Sequence, residues 1–245
     1  MTHCVSCAKC SDNLLVSSQA HPMNRRHFLE RLATLTGAVV LMPYIKACGG
    51  ASGIDSPTSM PSTSMLAPPP AAKPADWDAI AYNLARGNAG AIPDTYLADV
   101  NGPEGENSHL GKHLPWLPTV EPGTVPDGFL AIMWGNPEAG HAQHPNAVRS
   151  EANNFEGHWY NWIRIRKATA EDTEEVESGY SEWPGTTESD NGAYAVSGGG
   201  DITANAGKDT IYLAALPAGL QSGDVVRVWA HCLTHGEYVD YLTIP

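Results

Sequence analysis

From Phe129 to the C-terminus, short apolar runs alternate with breaks rich in Gly, Asn, Asp and Pro. The runs are FLAIMWG, HWYNWIRIRK, AYAVSG, TIYLAALP, DVVRVWAHC and YVDYLTI. They have the length and the aliphatic and aromatic content of strands. In HWYNWIRIRK, Arg164 and Arg166 share one side, with Ile163 and Ile165 between them on the other, as in a half-buried strand. The pattern predicts an all-β domain built as an antiparallel β-sandwich. Ahead of it, residues 76–86 set Trp77, Ile80, Ala81 and Leu84 at helical spacing before Gly87, which predicts one short helix. The acidic stretch 171–188 and the triplet Gly198, Gly199, Gly200 read as solvated loops.

The N-terminal part has a different character. Residues 49–75, GGASGIDSPTSMPSTSMLAPPPAAKPA, have too few large apolar side chains to fold and read as a disordered tether. Residues 1–48 read as a leader with an export signal. From Met23 to Cys48 a basic start precedes an apolar stretch, Leu32 to Ile45, that is too short to span a membrane. Arg25 and Arg26, followed by His27, Phe28 and Leu29, resemble a twin-arginine signal, a route that exports folded proteins. Ile45 to Gly49 resembles a lipoprotein cleavage box, with Lys46 out of keeping, so the expected location is periplasmic, free or membrane-attached through a lipidated Cys48. Cys4, Cys7 and Cys10 precede this signal, which suggests a start at Met23 or a discarded leader. The folded domain is then expected over residues 76–245.

Charge narrows the partners. The chain carries a formal charge of -13, and residues 49–245, with 9 basic and 25 acidic side chains, carry -16. No basic stripe exists to displace counterions from phosphates, so nucleic acid is excluded as a partner. Whether the chain forms a homo-oligomer is left open.

Seven histidines lie in the predicted domain, at 109, 113, 141, 144, 158, 231 and 235, with a single cysteine, Cys232. One cysteine cannot make a disulfide framework. A thiolate and an imidazole three residues apart, Cys232 and His235, at a strand end that turns at Gly236, can converge on one metal.

Three segments in chain order carry a resemblance to a known family. Gly111-Lys112-His113-Leu114-Pro115 resembles the Glu-Lys-His-x-Pro motif of superoxide reductases, the neelaredoxins and the iron domain of desulfoferrodoxins. His144-Pro145-Asn146, followed by His158 and its strand, is similar to their His-Pro-Asn and histidine-strand motif. Cys232-x-x-His235-Gly236 resembles their Cys-Asn-x-His-Gly ending, and the likeness spans residues 105–245. The resemblance implies an immunoglobulin-like sandwich of about seven strands holding one non-haem iron. It implies equatorial ligands His113, His144, His158 and His235, axial ligand Cys232 and an open sixth position; Lys112, next to a ligand, reads from its charge as a catalytic residue. The implied reaction is one-electron reduction of superoxide to hydrogen peroxide, with an external electron-donor protein as partner and no oxygen produced.

Imidazoles suit ferrous iron, and an axial thiolate pushes electron density onto the metal. Lys112 and the metal would supply positive charge for an anionic substrate in an acidic protein. Gly111 stands where the family has Glu, which removes the carboxylate that closes the sixth site; Glu104 or Glu106 could replace it only if the loop folds back. The segment AVRSEANNFEG between His144 and His158 lengthens that interval and predicts a loop flanking the metal. His141 competes with His144, but Pro145 and Asn146 favour the latter, and His109 and His231 read as ordinary surface or hydrogen-bonded residues. Rival readings are a cupredoxin-like copper protein, which would need an axial Met after the Cys where this chain has none, and a non-catalytic zinc module, which leaves one ligand unused.

Overall fold

The computed structural model describes residues 66–151 and 156–245. Cys4, Cys7, Cys10, the candidate export signal, Cys48, the tether up to residue 65 and residues 152–155 of the long interval lie outside the described residues. No helix among the described residues is long and apolar enough to cross a membrane.

Helix α1 (Ala79–Arg86) begins where Asp78 accepts a hydrogen bond from the Ala81 N–H at 3.0 Å. Gly87 does not stop it, contrary to the sequence expectation. The chain winds on through a wider turn, Gly87–Ala91, and breaks at Gly90, whose φ is 106°. Gly87 is required for closeness instead, since a Cβ there would stand 2.7 Å from Ile92 Cδ1. Helix α2 (Leu97–Val100) and two further helical turns, Gly105–Leu110 and Gly111–His113, complete this layer.

Among the described residues eight strands follow: β1 (Pro115–Trp116), β2 (Phe129–Trp134), β3 (Tyr160–Lys167), β4 (Glu175–Gly179), β5 (Ala193–Val196), β6 (Thr210–Ala215), β7 (Val225–Cys232) and β8 (Gly236–Thr243). They form two four-stranded antiparallel sheets, ordered β1-β2-β6-β5 and β4-β3-β7-β8. Inward residues of both sheets meet in one core, with Ile132, Trp134 and Tyr212 from the first and Ile163, Ile165, Val226 and Val228 from the second. This is the layered arrangement expected of a β-sandwich. A smaller cluster, Ile92, Val100, Leu110 and Tyr238, seats the helical layer on β8.

Each of the six apolar runs contains a strand. The acidic stretch 171–188, however, is not all loop. It contains β4, and the residues after it bury Tyr180 (0% exposed) and Trp183 (6%). Glu175 and Glu177 sit on the outward side of β4, where they pair with Arg227 and Arg164. An edge strand whose charges face cations looks like solvated loop in composition.

The tether's end also makes contacts that its composition hides. Arg227, 3% exposed, donates to the carbonyls of Pro69 at 2.7 Å and Pro70 at 3.2 Å, and Tyr241 Oη donates to Pro70 O at 2.6 Å. The acceptors are main-chain carbonyls, which every residue type carries.

Candidate metal centre

Five side chains converge at one end of the sandwich. The ligand atoms of His113, His144, His158, Cys232 and His235 all lie within 4.8 Å of one another. These are the five residues implied by the three sequence motifs.

Each comes from a different local structure. His113 ends the turn before β1, where its Nδ1 lies 2.5 Å from the His109 carbonyl, so that this nitrogen donates and Nε2 faces the cluster as a lone pair. Tyr238 stacks on the His113 ring at 4.3 Å and 7°. His144 follows β2, its N–H bonded to Trp134 O at 3.0 Å, while Asn146 is gripped by Tyr212 Oη at 2.5 Å and donates to Gly207 O at 2.7 Å. His158 pairs with Ala147 in an isolated bridge just before β3. Cys232 ends β7 and His235 sits in the turn into β8. Gly236, at φ 87°, lets this turn approach the helical layer, because a Cβ there would meet Ala91 O at 2.1 Å.

The rings form a square. Successive centroids are 4.9 Å apart for His113 and His144, 4.3 Å for His144 and His158, 4.7 Å for His158 and His235, and 4.8 Å for His235 and His113. The diagonal from His113 to His158 is 6.4 Å, close to the √2 ratio of a square, whereas a tetrahedron would make all separations equal. Cys232 Sγ lies 3.6 Å from His144 Nε2 and 3.7 Å from His235 Nδ1, which occupy opposite corners. The sulfur is therefore nearly equidistant from the two ends of a diagonal.

The electrostatics fit a metal. Burial holds His113 and His144 well below the ordinary imidazole range and lowers His158 to about 4 and His235 to about 2. All four rings are thus neutral near pH 7, and His158 Nε2 and His235 Nδ1 lie 2.9 Å apart. Burial pushes the Cys232 thiol up to about 12, against the pull of the His235 and Thr234 N–H groups and of Lys112. Only a cation in the cluster would make a thiolate there at neutral pH. His113 Nε2 is enclosed with no hydrogen-bond partner, as is His144 Nδ1. An orphan such as His113 Nε2 is what a bound cation satisfies. The donor set of four imidazoles and one thiol is compatible with a metal site.

Lys112 is half-buried and lines a cavity with Asp99, Glu104 and His109, and its charge acts on the ligand histidines and on Cys232. The larger cavity that reaches the centre is lined by His158 and His235 together with Tyr96, Glu156, Ser150 and Thr234. Ala147, Ser150 and Glu156 of the long interval therefore flank the centre on this side. Glu104 and Glu106 are exposed and outside the cluster.

Two neighbours were missed in the sequence. His109 is 5% exposed, with its ring 5.2 Å from His113 and 5.0 Å from His235, and burial lowers it to about 4. It is no surface residue, and its i, i+4 spacing from His113 on a helical turn is the signal that could have found it. Tyr96 meets His235 edge-on at 4.4 Å and carries no motif. His141 lies outside the cluster, against Gly111, and His231 faces outward from β7.

Comparison of the chain with protein-family models, with curated proteins and with solved structures finds no match.

Proposed function

We propose that the protein is a superoxide reductase in which His113, His144, His158, His235 and Cys232 would together hold one iron. The observation that carries this reading is the square of imidazoles with the Cys232 sulfur equidistant from two opposite corners. A structural zinc site is a closed tetrahedron of four ligands, and a blue-copper site is trigonal with two histidines, so neither uses this set.

Such an iron would supply the one electron that, with two protons, converts superoxide to hydrogen peroxide. The side chains do the rest. His109 O and Tyr238 fix the plane and tautomer of His113, and Asn146 anchors the loop that carries His144. The Cys232 sulfur, 0% exposed and so shielded from oxidants, would push electron density toward a metal held there. Lys112 offsets part of the charge that an acidic chain presents to an anion. The immunoglobulin-like form of the sandwich, an external one-electron donor, twin-arginine export to the periplasm and attachment through Cys48 belong to the same proposal.

The test is to offer iron, copper and zinc together to the wild-type protein and to Cys232→Ala, and to measure bound metal by mass spectrometry. About one iron per wild-type chain, a ferric thiolate absorption lost in the variant, and peroxide without oxygen from superoxide are expected. Full occupancy by copper or zinc, or iron binding indifferent to Cys232, would overturn the assignment.

A further inference from the structure

We propose that Trp162 and His231 form the route by which an external one-electron donor protein reduces the centre through Cys232, an inference that rests on the reductase reading.

The thiol is out of direct reach of a protein donor. Cys232 is 0% exposed, and the cavity beside the cluster reaches only its His158 and His235 edge. The outward face of the second sheet, by contrast, brings aromatic rings into chain contact with the thiol. His231 immediately precedes Cys232 on β7, and the antiparallel register sets it opposite Trp162 on β3. The Trp162 ring stacks on His231 with centroids 5.7 Å apart and planes 13° from parallel, and meets Trp229 edge-on at 5.4 Å. From the His231 ring, one peptide link and the Cys232 side chain lead to sulfur.

The stack is held in place. Pairing between β3 and β7 slips between Tyr160 and Trp162, leaving Asn161 as the extra residue of a bulge. The bulge keeps Tyr160 inside, its ring 4.9 Å from His144, while Trp162 turns outward. The Asn161 side-chain oxygen accepts from His231 Nδ1 at 2.6 Å, which fixes the plane of the ring that Trp162 covers. Neither ring is among the five side chains of the metal cluster.

Arg164 lies over both indoles, 4.6 Å from the Trp162 centroid and 5.0 Å from that of Trp229. A cation over a π-face makes removal of an electron from the ring harder. The indole therefore conducts without becoming an oxidised stopping point. The donor loses one electron, the oxidised centre gains it, and no bond or proton changes hands. The charge of -16 over residues 49–245 favours a basic carrier.

Electron flow along a route is reversible, so the test runs it outward. The iron-loaded ferrous protein is mixed without oxygen with ferricytochrome c, a basic protein too large for the cavity, and separately with hexacyanoferrate(III), which is small. Trp162→Leu is expected to slow reduction of cytochrome c several-fold, with the hexacyanoferrate rate, the ferric thiolate band and the midpoint potential unchanged. A cytochrome c rate equal to wild type overturns the route. Should the variant alter the band or both rates, Trp162→Phe decides: recovery of the cytochrome c rate supports the route, and failure to recover it with a normal band overturns it. A wild-type protein that holds no redox-active iron sinks the reductase reading itself, whereas an iron-loaded protein indifferent to Trp162 sinks only the route.

Discussion

The ring of His141 occupies the space that a side chain at Gly111 would need. A Cβ on Gly111 would lie 2.2 Å from His141 Nδ1, and the backbone there is ordinary right-handed helix at φ -59°. The glycine is therefore required for room, and it explains why a carboxylate is absent from this position. Gly111→Ala would gain helix propensity in the open, yet overpacking against the imidazole should cost about 1–3 kcal/mol. Urea denaturation checks this, and Gly111→Ala combined with His141→Ala should recover most of the loss. A single Gly111→Ala variant as stable as wild type would show that the ring yields freely.

Metal removal should lower stability through the same five residues. A ligand that binds only the folded state stabilises it by about 4 kcal/mol at a thousand times its dissociation constant. A chelator should thus lower the thermal midpoint of the iron-loaded protein, and Cys232→Ala should show little dependence on added iron. Calorimetry with and without chelator reads both, and equal shifts in the two proteins would exclude Cys232 as a ligand.

Asn146 should matter through what it leaves behind. It is 5% exposed, accepts from Tyr212 Oη and donates to Gly207 O. Asn146→Ala orphans two buried groups and should cost about 3 kcal/mol. Because the same loop carries His144, metal affinity should fall by about tenfold, as for other residues that orient metal ligands. Denaturation and a competitive metal titration measure the two effects separately.

Asp240 supplies a pH test away from the centre. Burial raises its carboxyl above the usual range, although Tyr241 N–H and Trp77 Nε1 donate to it at 2.7 and 2.8 Å. The folded state thus holds this proton more tightly than the unfolded state, so the contribution is present in acid and lost as pH rises through the folded pKa. Asp240→Asn keeps the accepting oxygen without the charge. Its stability relative to wild type should rise between pH 3 and pH 7, and a difference constant with pH would refute the shift.

The strands were legible as short aliphatic and aromatic runs between breaks, whereas the helix begins at Ala79, later than the expected residue 76, because Asp78 caps it. Strand β4 was not, because Glu175 and Glu177 are stabilised by Arg227 and Arg164, cations distant in sequence. The docking of residues 67–72 was hidden for a related reason: Arg86, Arg227 and Tyr241 reach main-chain carbonyls, to which composition is blind.

By itself, then, the sequence determined that short apolar runs would pair as antiparallel strands and that histidines and one cysteine would stand at their ends, since period and ligand chemistry are local properties. Tertiary structure alone decided that four rings stand in a square with Cys232 between two opposite corners, that His109 and Tyr96 wall the centre, and that His141 excludes a side chain at Gly111. Those relationships depend on which surfaces meet when the sheets and the helical layer pack, and packing joins residues that the order along the chain keeps apart.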